Sequence, residues 1–516
     1  MNAGLFEELL GIESVVDRSH QEQVDIIGSL FDLSYDNGSV NGIEHAFKLS
    51  DQVETSKLPE ELFTVFQYDL SNGWSYLRKL KYGYTEEDWN FQTEELTKEI
   101  FCLRTALLSP GFQNVPVERQ CQIYTNLGNS FSYIGRFVEA QDYWNNAIDI
   151  LPSFSMAIGN KANGLYFYGR LLYDNIHVNL FLLFAYHHFK DALRFPEYLH
   201  DEALHGMQQH HDWLHNYVKD FPEEYTRALP NLDNFDMGDD QELRSYRQWC
   251  LDNKMYINPL NDLGAYTDAC HDCLNLPTLI LRANRPPVVL DLFNQIKQEF
   301  ATARYSYYYS SLGLAPHISD VDVILVETMQ AVRYSFYVEQ LKIAFRMAYS
   351  ILDKIAFLLN DYLELQIDSF SVSFKSLWYS GRNAATLRPF FTNSKNWALR
   401  GLYWLSKDLY EKRDDFDTVL DPAAKEIALI RNFIEHKGIK VLSDIQFSGV
   451  GFKEADISFT ISRGDLQGKT LNLLKLARAA VMYTALAIAH EEDKKDRTSL
   501  KAIPIGGSAI PLYMKT

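Results

Sequence analysis

Apolar side chains recur every three or four residues along most of this chain, which is the spacing of a helix with one buried face. Residues 58–80 carry this pattern, with Pro59 at a position suited to the first helical turn. Residues 85–110 carry it again, with acidic residues at the start and a proline at the end. The pattern predicts a mainly α-helical protein.

The helical pattern is most regular over residues 121–152. A repeat of the tetratricopeptide type, which is a helical hairpin, needs small and large side chains at fixed positions. Here Gly128 is the small residue, Phe131 and Trp144 are large, and Gly135 supplies the turn. One hairpin cannot bury its own apolar face, so the neighbouring helices should continue the solenoid. The alternative is an unrelated helical bundle.

The strength of the helical pattern divides the chain into three regions. We expect a tetratricopeptide-like repeat domain over residues 1–215, a middle helical or connecting region over 216–316, and a helical bundle over 317–516. One or two long helices should occupy residues 319–365. The bundle should also contain a short β insertion, because apolar and polar residues alternate in residues 455–465.

Charge is unevenly distributed between the two ends of the chain. The 516 residues include 49 Lys+Arg and 68 Asp+Glu, a net charge of −19. Residues 331–516 contain 26 basic and 21 acidic residues, which leaves 23 and 47 for residues 1–330. The balances of +5 and −24 indicate different partners for the two parts. A balance of +5 is modest and does not by itself indicate nucleic-acid binding.

Cysteine usage and hydropathy favour a cytoplasmic protein without a membrane partner. Five cysteines in so long a chain do not make a disulfide framework. We expect no secretory signal, because the first residues lack a basic segment followed by an apolar one. The apolar runs are also shorter than the roughly 18 residues of a membrane span.

Two groups of residues could hold a metal. Cys270 and Cys273 form a Cys-x-x-Cys pair with Cys250 upstream, but zinc usually takes two such pairs or a pair plus spaced histidines. His211 and His215 share a helix face, without the glutamate that a zinc-protease helix has after its first histidine. Buried thiols and solvated histidines are the simpler interpretation. We therefore expect no metal and no cofactor, and a zinc-dependent enzyme is the weakest hypothesis.

The six residues RNFIEH close a strongly periodic stretch just before a glycine. Arg431 and Glu435 are four residues apart and share a helix face, and Asn432 and His436 share the adjacent one. Metal-free RNA cleavage needs a base for the 2′-hydroxyl proton, a cation for the phosphate and an acid for the leaving oxygen. Histidine suits the proton transfers and arginine suits the phosphate. At the helix end, both faces can meet one cleft.

An ordinary helix end explains the same residues. Arg431 and Glu435 could form an ion pair worth roughly a few tenths of a kcal/mol. His436 and Lys437 could complement the helix dipole at its C-terminus. Residue types and spacing alone leave both interpretations open.

The motif and its setting resemble the HEPN domain, a superfamily of helical domains. The family pattern is an arginine, four to six residues and a histidine, often with an asparagine after the arginine. Arg431, Asn432 and His436 match it. Residues 345–360, FRMAYSILDKIAFLLN, are also similar to HEPN sequences, and the resemblance covers about residues 317–495. The β insertion after the motif departs from the family pattern.

The resemblance implies a metal-independent endoribonuclease that acts as a homodimer, in which two motifs face one RNA cleft and leave cyclic phosphate ends. Arg431 would hold the scissile phosphate, and His436 would transfer the proton. Asn432 would orient the phosphate or the histidine. Glu435 and Lys437 would support them.

The layout of repeats followed by a HEPN domain is similar to that of bacterial HEPN proteins of conflict systems. The implied role is antiphage defence by abortive infection, in which RNA, with tRNA as one candidate, is cut. A protein or phage-derived trigger would bind the repeats. Some HEPN domains are non-catalytic, so the alternative is a dimeric scaffold or nucleotide-binding protein that recruits a protein partner through its repeats.

Overall fold

The computed structural model describes most of the chain. It covers residues 2–83, 89–282, 286–313, 315–326, 329–380, 386–410, 424–447, 453–455, 457–495, 502–505 and 515. The described part consists mostly of helices, with short strands in its second half, so the mainly α fold class is confirmed.

The first part of the chain folds as a row of helices. Their bounds are α1 Asn2–Leu10, α2 His20–Asp36, α3 Val40–Ser50, α4 Glu60–Tyr82, α5 Glu94–Leu108, α6 Val117–Tyr133, α7 Phe137–Ile150, α8 Ser155–Gly169, α9 Asn175–Ala192, α10 Asp201–Val218 and α11 Glu223–Arg227. From α4 to α10, each helix packs against the next one along the chain, which is the arrangement of a solenoid. Helices α2, α3 and α4 enclose a smaller apolar core of their own.

Helix α5 begins later than the apolar pattern predicts. Residues 85–88 lie outside the described residues, and residues 89–93 are not α-helical. The helix begins at Glu94, after an extended Thr93. Glu94 and Glu95 then occupy the first turn, where the helix dipole favours negative charge.

Helices α6 and α7 form the predicted hairpin. Gly135 turns the chain with a φ of +87°, a conformation that favours glycine. A Cβ at Gly128 would lie 2.5 Å from Nε1 of Trp144, and a Cβ at Gly164 would lie 2.3 Å from its Cζ3. The buried indole therefore occupies space that two glycines leave open, as the repeat pattern requires.

The middle region joins the solenoid to the bundle with little regular structure. It contains α12 Gln241–Asp252, α13 Leu260–Leu263 and β1 Leu279–Arg282. Residues 228–240 form no helix, as their turn-forming and acidic residues predict. Asp262 of α13 is buried, accepts a hydrogen bond from the Tyr168 hydroxyl of α8 at 2.8 Å, and so ties this region to the solenoid.

The last part of the chain folds as a helical bundle with small sheets. Its elements are α14 Val288–Ser311, α15 Phe336–Tyr362, β2 Tyr379–Ser380, β3 Thr386–Leu387, α16 Pro389–Thr392, α17 Trp397–Tyr410, α18 Ala424–His436, β4 Gly438–Leu442, α19 Asp444–Phe447, β5 Lys453–Ala455, β6 Ser458–Ser462, α20 Arg463–Asp493 and β7 Ala502–Ile505. Strands β1 and β7 pair antiparallel, so the middle region and the last described strand share a sheet.

Helix α20 lies at the centre of the bundle, where it packs against α14, α15 and α17. Among the described helices, α20 alone is long and apolar enough to cross a membrane, with a mean hydropathy of 1.4 over 18 residues. However, 78% of that 18-residue stretch is buried within the protein, which is the place of a core helix. Its apolar character is thus explained by its place in the core.

The prediction that one or two long helices occupy residues 319–365 is wrong in its first part. Helix α15 begins only at Phe336, where the backbone N–H donates to the Asp320 carboxylate at 3.0 Å. The Ser335 hydroxyl caps the helix by accepting from the Val338 N–H at 3.3 Å. Residues 321–326, VDVILV, are rich in β-branched side chains, which have a low helix propensity and lie exposed in irregular structure here.

The β insertion is a three-stranded sheet with β6 at its centre. Strand β4 pairs with β6 in parallel, and β5 pairs with it antiparallel. The predicted alternation is only partly seen, because residues 459–462 are all buried while Ile457 precedes the strand and is 79% exposed. Helices α18 and α20 both pack against β6, which accounts for its burial.

The solenoid and the bundle share a buried junction around α17. Asp408 of α17 forms ion pairs with Arg104 of α5 at 2.8 Å and with Arg136 at the start of α7. A Cβ at Gly135 would lie 2.7 Å from the Gly401 nitrogen, so the two backbones touch. One apolar core accordingly runs from Tyr68 to Ile488.

Candidate functional site

The RNFIEH residues form the last turns of α18, as the apolar pattern predicts. Ile430, Phe433 and Ile434 are buried and hold the helix against the bundle. The helix stops at His436 because the next residues enter the sheet. The Gly438 N–H, which would otherwise continue the helical bonding, donates to the Ile457 carbonyl beside β6 at 2.9 Å.

One face of this helix end is turned toward α15. The Arg431 guanidinium lies over the Tyr349 ring, 5.4 Å from its centroid. The Glu435 carboxylate lies 3.6 Å from Nε of Arg346. Within the described residues, the ion pair of Glu435 is with Arg346 and not with Arg431, so the simple i,i+4 pair does not account for this face.

The adjacent face is open to solvent. Asn432 and His436 are both exposed, and in the described part of the chain neither side chain has a hydrogen bond. The Lys437 ammonium lies 4.7 Å from the centroid of the Phe433 ring. Arg431 and His436 are separated by about 140° around the helix. His436 therefore faces solvent, whereas Arg431 lies partly buried at the boundary with α15.

Tyr349, which contacts Arg431, packs in turn against Tyr410. Tyr349 is 8% exposed, and its ring meets that of Tyr410 edge-on at a centroid distance of 5.9 Å. Burial raises the pKa of Tyr349, although Tyr410 and Arg431 lower it in part, and burial likewise raises that of Tyr410. Both phenols are therefore neutral at physiological pH, and Tyr349 offers Arg431 an aromatic face without charge.

Residues 280–491, which include α18 and the supporting helices, match the family model described as LA2681-like HEPN. This region is similar to a HEPN domain. The comparisons with curated proteins and with solved structures gave no match. The HEPN match does not reach the tetratricopeptide-like repeats, whose family relationship stays a prediction. The match begins at residue 280, before the predicted boundary at residue 317. The predicted bounds of the three regions also stay predictions.

The HEPN region supplies one residue near the motif that the sequence analysis did not single out. Arg346 of α15 donates from Nη2 to the Ile434 carbonyl at 2.5 Å, besides its contact with Glu435. It lies in FRMAYSILDK, a stretch noted for its resemblance but not searched for site residues. The available signal was its spacing, because Arg346 and Tyr349 are neighbours on one helix face.

The candidate metal-binding cysteines lie outside residues 431–436 and have other partners. The Cys270 Sγ is 3.3 Å from the Met237 Sδ, and the Cys273 Sγ is 3.9 Å from the His177 Nε2. Burial raises the pKa of the Cys250 and Cys273 thiols to about 12, so they are protonated at neutral pH. The geometry favours the interpretation as structural thiols.

The paired histidines are likewise held by a neighbour in the solenoid. The Tyr186 ring stacks on His211 at a centroid distance of 5.1 Å, and its hydroxyl lies 3.3 Å from Nδ1 of His215. The described residues contain no group of three His, Cys, Asp or Glu side chains that could hold a metal ion. These histidines are best explained as part of the packing between α9 and α10.

Proposed function

We propose that this protein is a metal-independent endoribonuclease whose site is the end of α18. The observation that carries the proposal is that Arg431 is held on the bundle while His436 stands exposed on the same helix end. The HEPN match over residues 280–491 supports it, because HEPN domains are frequently ribonucleases of defence systems. RNA is the substrate, with tRNA as one candidate.

Each residue of the motif has a distinct task in this reaction. Arg431 donates two parallel hydrogen bonds to the scissile phosphate and stabilises the charge that builds on its oxygens. His436 takes the 2′-hydroxyl proton or returns a proton to the 5′-oxygen. Asn432, on the same face as His436, orients the phosphate or the imidazole, and Lys437 adds a positive charge nearby. The product is a 2′,3′-cyclic phosphate end.

A homodimer completes the site, since one histidine does not easily act as base and acid together. Two copies of His436 at one cleft would divide the two proton transfers between them. The exposure of His436 and Asn432 leaves that face accessible to a second copy. This predicts that a mixed dimer of one wild-type and one His436→Ala subunit, which holds a single His436 at the cleft, keeps far less than half of the wild-type activity.

The decisive assay is cleavage of total RNA and of a tRNA pool by the purified full chain in EDTA. Wild type, His436→Ala and Arg431→Ala are compared, with His205→Ala as the matched control because this exposed histidine lies on α10, away from α18. Loss of His436 should slow cleavage by about 10²–10⁴-fold, as expected for a general acid–base group. Loss of Arg431 should cost about 10²–10³-fold.

The outcomes separate the proposed function from its alternatives. Cutting by wild type and His205→Ala alone, with cyclic phosphate ends, supports it. Equal cutting by wild type and His436→Ala, or cutting that stops when EDTA is added, contradicts it. If no protein cuts RNA even with extract from infected cells, the non-catalytic scaffold that recruits a partner through its repeats becomes the better hypothesis.

The proposed biological role is antiphage defence, in which the acidic repeat half binds a protein or phage-derived trigger. The buried junction at Asp408 supports this, because it ties the repeats to the helix that precedes the motif. Cells that carry wild type should survive phage challenge as a population, and those with the Arg431→Ala and His436→Ala double variant should not. Equal protection by both would contradict the role assigned to the motif.

A further inference from the structure

An RNA phosphate that approaches the end of α18 meets an unfavourable charge. The last carbonyl groups of a helix carry the negative end of its dipole, equivalent to about half an elementary charge. Glu435 adds a full negative charge in the last turn and is 38% exposed. A ribonuclease site at this position would therefore be helped by positive charge beyond that of Arg431 and Lys437.

Arg346 supplies positive charge at this point, and it comes from a different helix. Its Nη2 donates to the Ile434 carbonyl, one of the carbonyls that the helix end leaves unpaired, and its Nε lies near the Glu435 carboxylate. One edge of the guanidinium is thereby fixed to α18. The side chain is still 45% exposed, and a guanidinium has five N–H donors, so part of it remains accessible to a ligand.

The structure brings this arginine beside the arginine of the motif. Arg431 lies over the ring of Tyr349, and Arg346 is three residues before Tyr349 on α15. Residues three apart on a helix have their Cβ atoms about 5–6 Å from each other. Arg346 therefore belongs to the same face of α15 as Tyr349, against which Arg431 of α18 packs. The two arginines come from two helices and lie at neighbouring positions of this face.

We propose that Arg346 and Arg431 together form a cradle for one RNA phosphate, with Arg346 as a second substrate-binding arginine. This inference rests on the proposed ribonuclease function and assigns the phosphate site of the same reaction. Glu435 then has a defined task, which is to hold Arg346 in place. A planar, forked donor suits the oxygens of a phosphate better than an ammonium does.

The test measures RNA binding and cleavage separately. Binding uses a short single-stranded RNA that cannot be cut because it has a 2′-deoxy sugar at the scissile position, and its Kd is measured by fluorescence anisotropy at several salt concentrations. We compare wild type with Arg346→Ala and Arg346→Lys. Arg227→Ala is the matched control, because Arg227 is a 75% exposed arginine of α11 that also pairs with a glutamate.

The salt dependence distinguishes a phosphate contact from a structural role. Loss of one phosphate contact to a single strand lowers the slope of log K against log salt by about 0.7, whereas a merely loosened helix end leaves it unchanged. We expect Arg346→Ala to show the lower slope, about tenfold weaker binding and a raised KM, with kcat reduced less. Arg346→Lys keeps the charge and should restore the slope, and Arg227→Ala should equal wild type.

Two negative results of this test would have different meanings. If wild type cuts RNA while Arg346→Ala keeps the wild-type slope, Kd and KM, the cradle is wrong and the proposed ribonuclease stands. If wild type neither binds nor cuts RNA, both proposals fall. Thermal unfolding of each variant accompanies the assay, and an Arg346→Lys protein that is folded and yet binds like Arg346→Ala would show that the fork, and not the charge, is required.

Discussion

Substitution of Gly135 by alanine tests the junction between the solenoid and the bundle. A Cβ at this position would lie 2.1 Å from the Trp397 carbonyl oxygen and 2.7 Å from the Gly401 nitrogen, both of which are backbone atoms of α17. The φ of +87° adds a conformational cost of roughly 1–2 kcal/mol for any residue with a Cβ. Overpacking against fixed atoms adds about 1–3 kcal/mol. The sum predicts a loss of about 2–5 kcal/mol.

Gly38→Ala is the matched control, because Gly38 has a φ of +65° and a Cβ there would meet nothing within 4 Å. It should show only the conformational cost. Both variants and wild type are unfolded with denaturant and followed by circular dichroism, and the difference between the variants measures the clash at α17 alone. If Gly135→Ala loses no more stability than Gly38→Ala, the two backbones are not in the close contact that the structure shows.

Three further predictions concern buried charge and the thiols. Asp408→Asn should destabilise the protein by about 3–5 kcal/mol in denaturant unfolding, since it removes the buried negative charge that pairs with two buried arginines; a loss below about 1 kcal/mol would contradict this. Burial raises the pKa of Asp69 to about 7, so its protonated form is favoured in the folded state. The contribution of Asp69 to the free energy of unfolding is complete below its unfolded pKa of about 4. It falls by up to about 4 kcal/mol as the pH rises to its folded pKa of about 7 and is lost above that pH. Asp69→Asn should remove that loss, which thermal unfolding at pH 5 and pH 8 will check. Elemental analysis should find no stoichiometric zinc; zinc that disappears in a Cys250→Ser, Cys273→Ser double variant would contradict the interpretation as structural thiols.

The sequence predicts those elements whose cause is local. Helix α4 and the hairpin of α6 and α7 follow from periodic apolar residues and from a glycine at the turn, which act over a few positions. The start of α15 was not predicted, because it depends on the cap by Ser335 and on the hydrogen bond to Asp320. The apolar residues of 321–326 have a spacing that suggests a helix, although they form none. Local spacing also located RNFIEH. It puts Arg346 beside Tyr349 on one helix face, but it could not bring Arg346 to the motif, since the contact of this residue with Ile434 joins positions 88 residues apart.

The same limit applies to the junction. Asp408 is an ordinary charged residue in a helical pattern, and nothing near it in the chain indicates burial. Its partner Arg104 precedes it by 304 residues. Such a pair becomes visible only when the packing of whole helices is known, because the charge is stabilised by tertiary contacts and not by the residues around it.

The pairing of β1 with β7 and the central place of α20 have a consequence for synthesis on the ribosome. Leu279 pairs with Ile505, and α20 runs to Asp493, so the central helix of the bundle is translated after the other helices of the bundle. The solenoid emerges first and can fold while the remainder is made, as N-terminal parts of large proteins generally do. The helices around the motif lack their central packing partner until α20 itself has been translated. A cell that makes this protein therefore completes the candidate site only after the repeat half has been made.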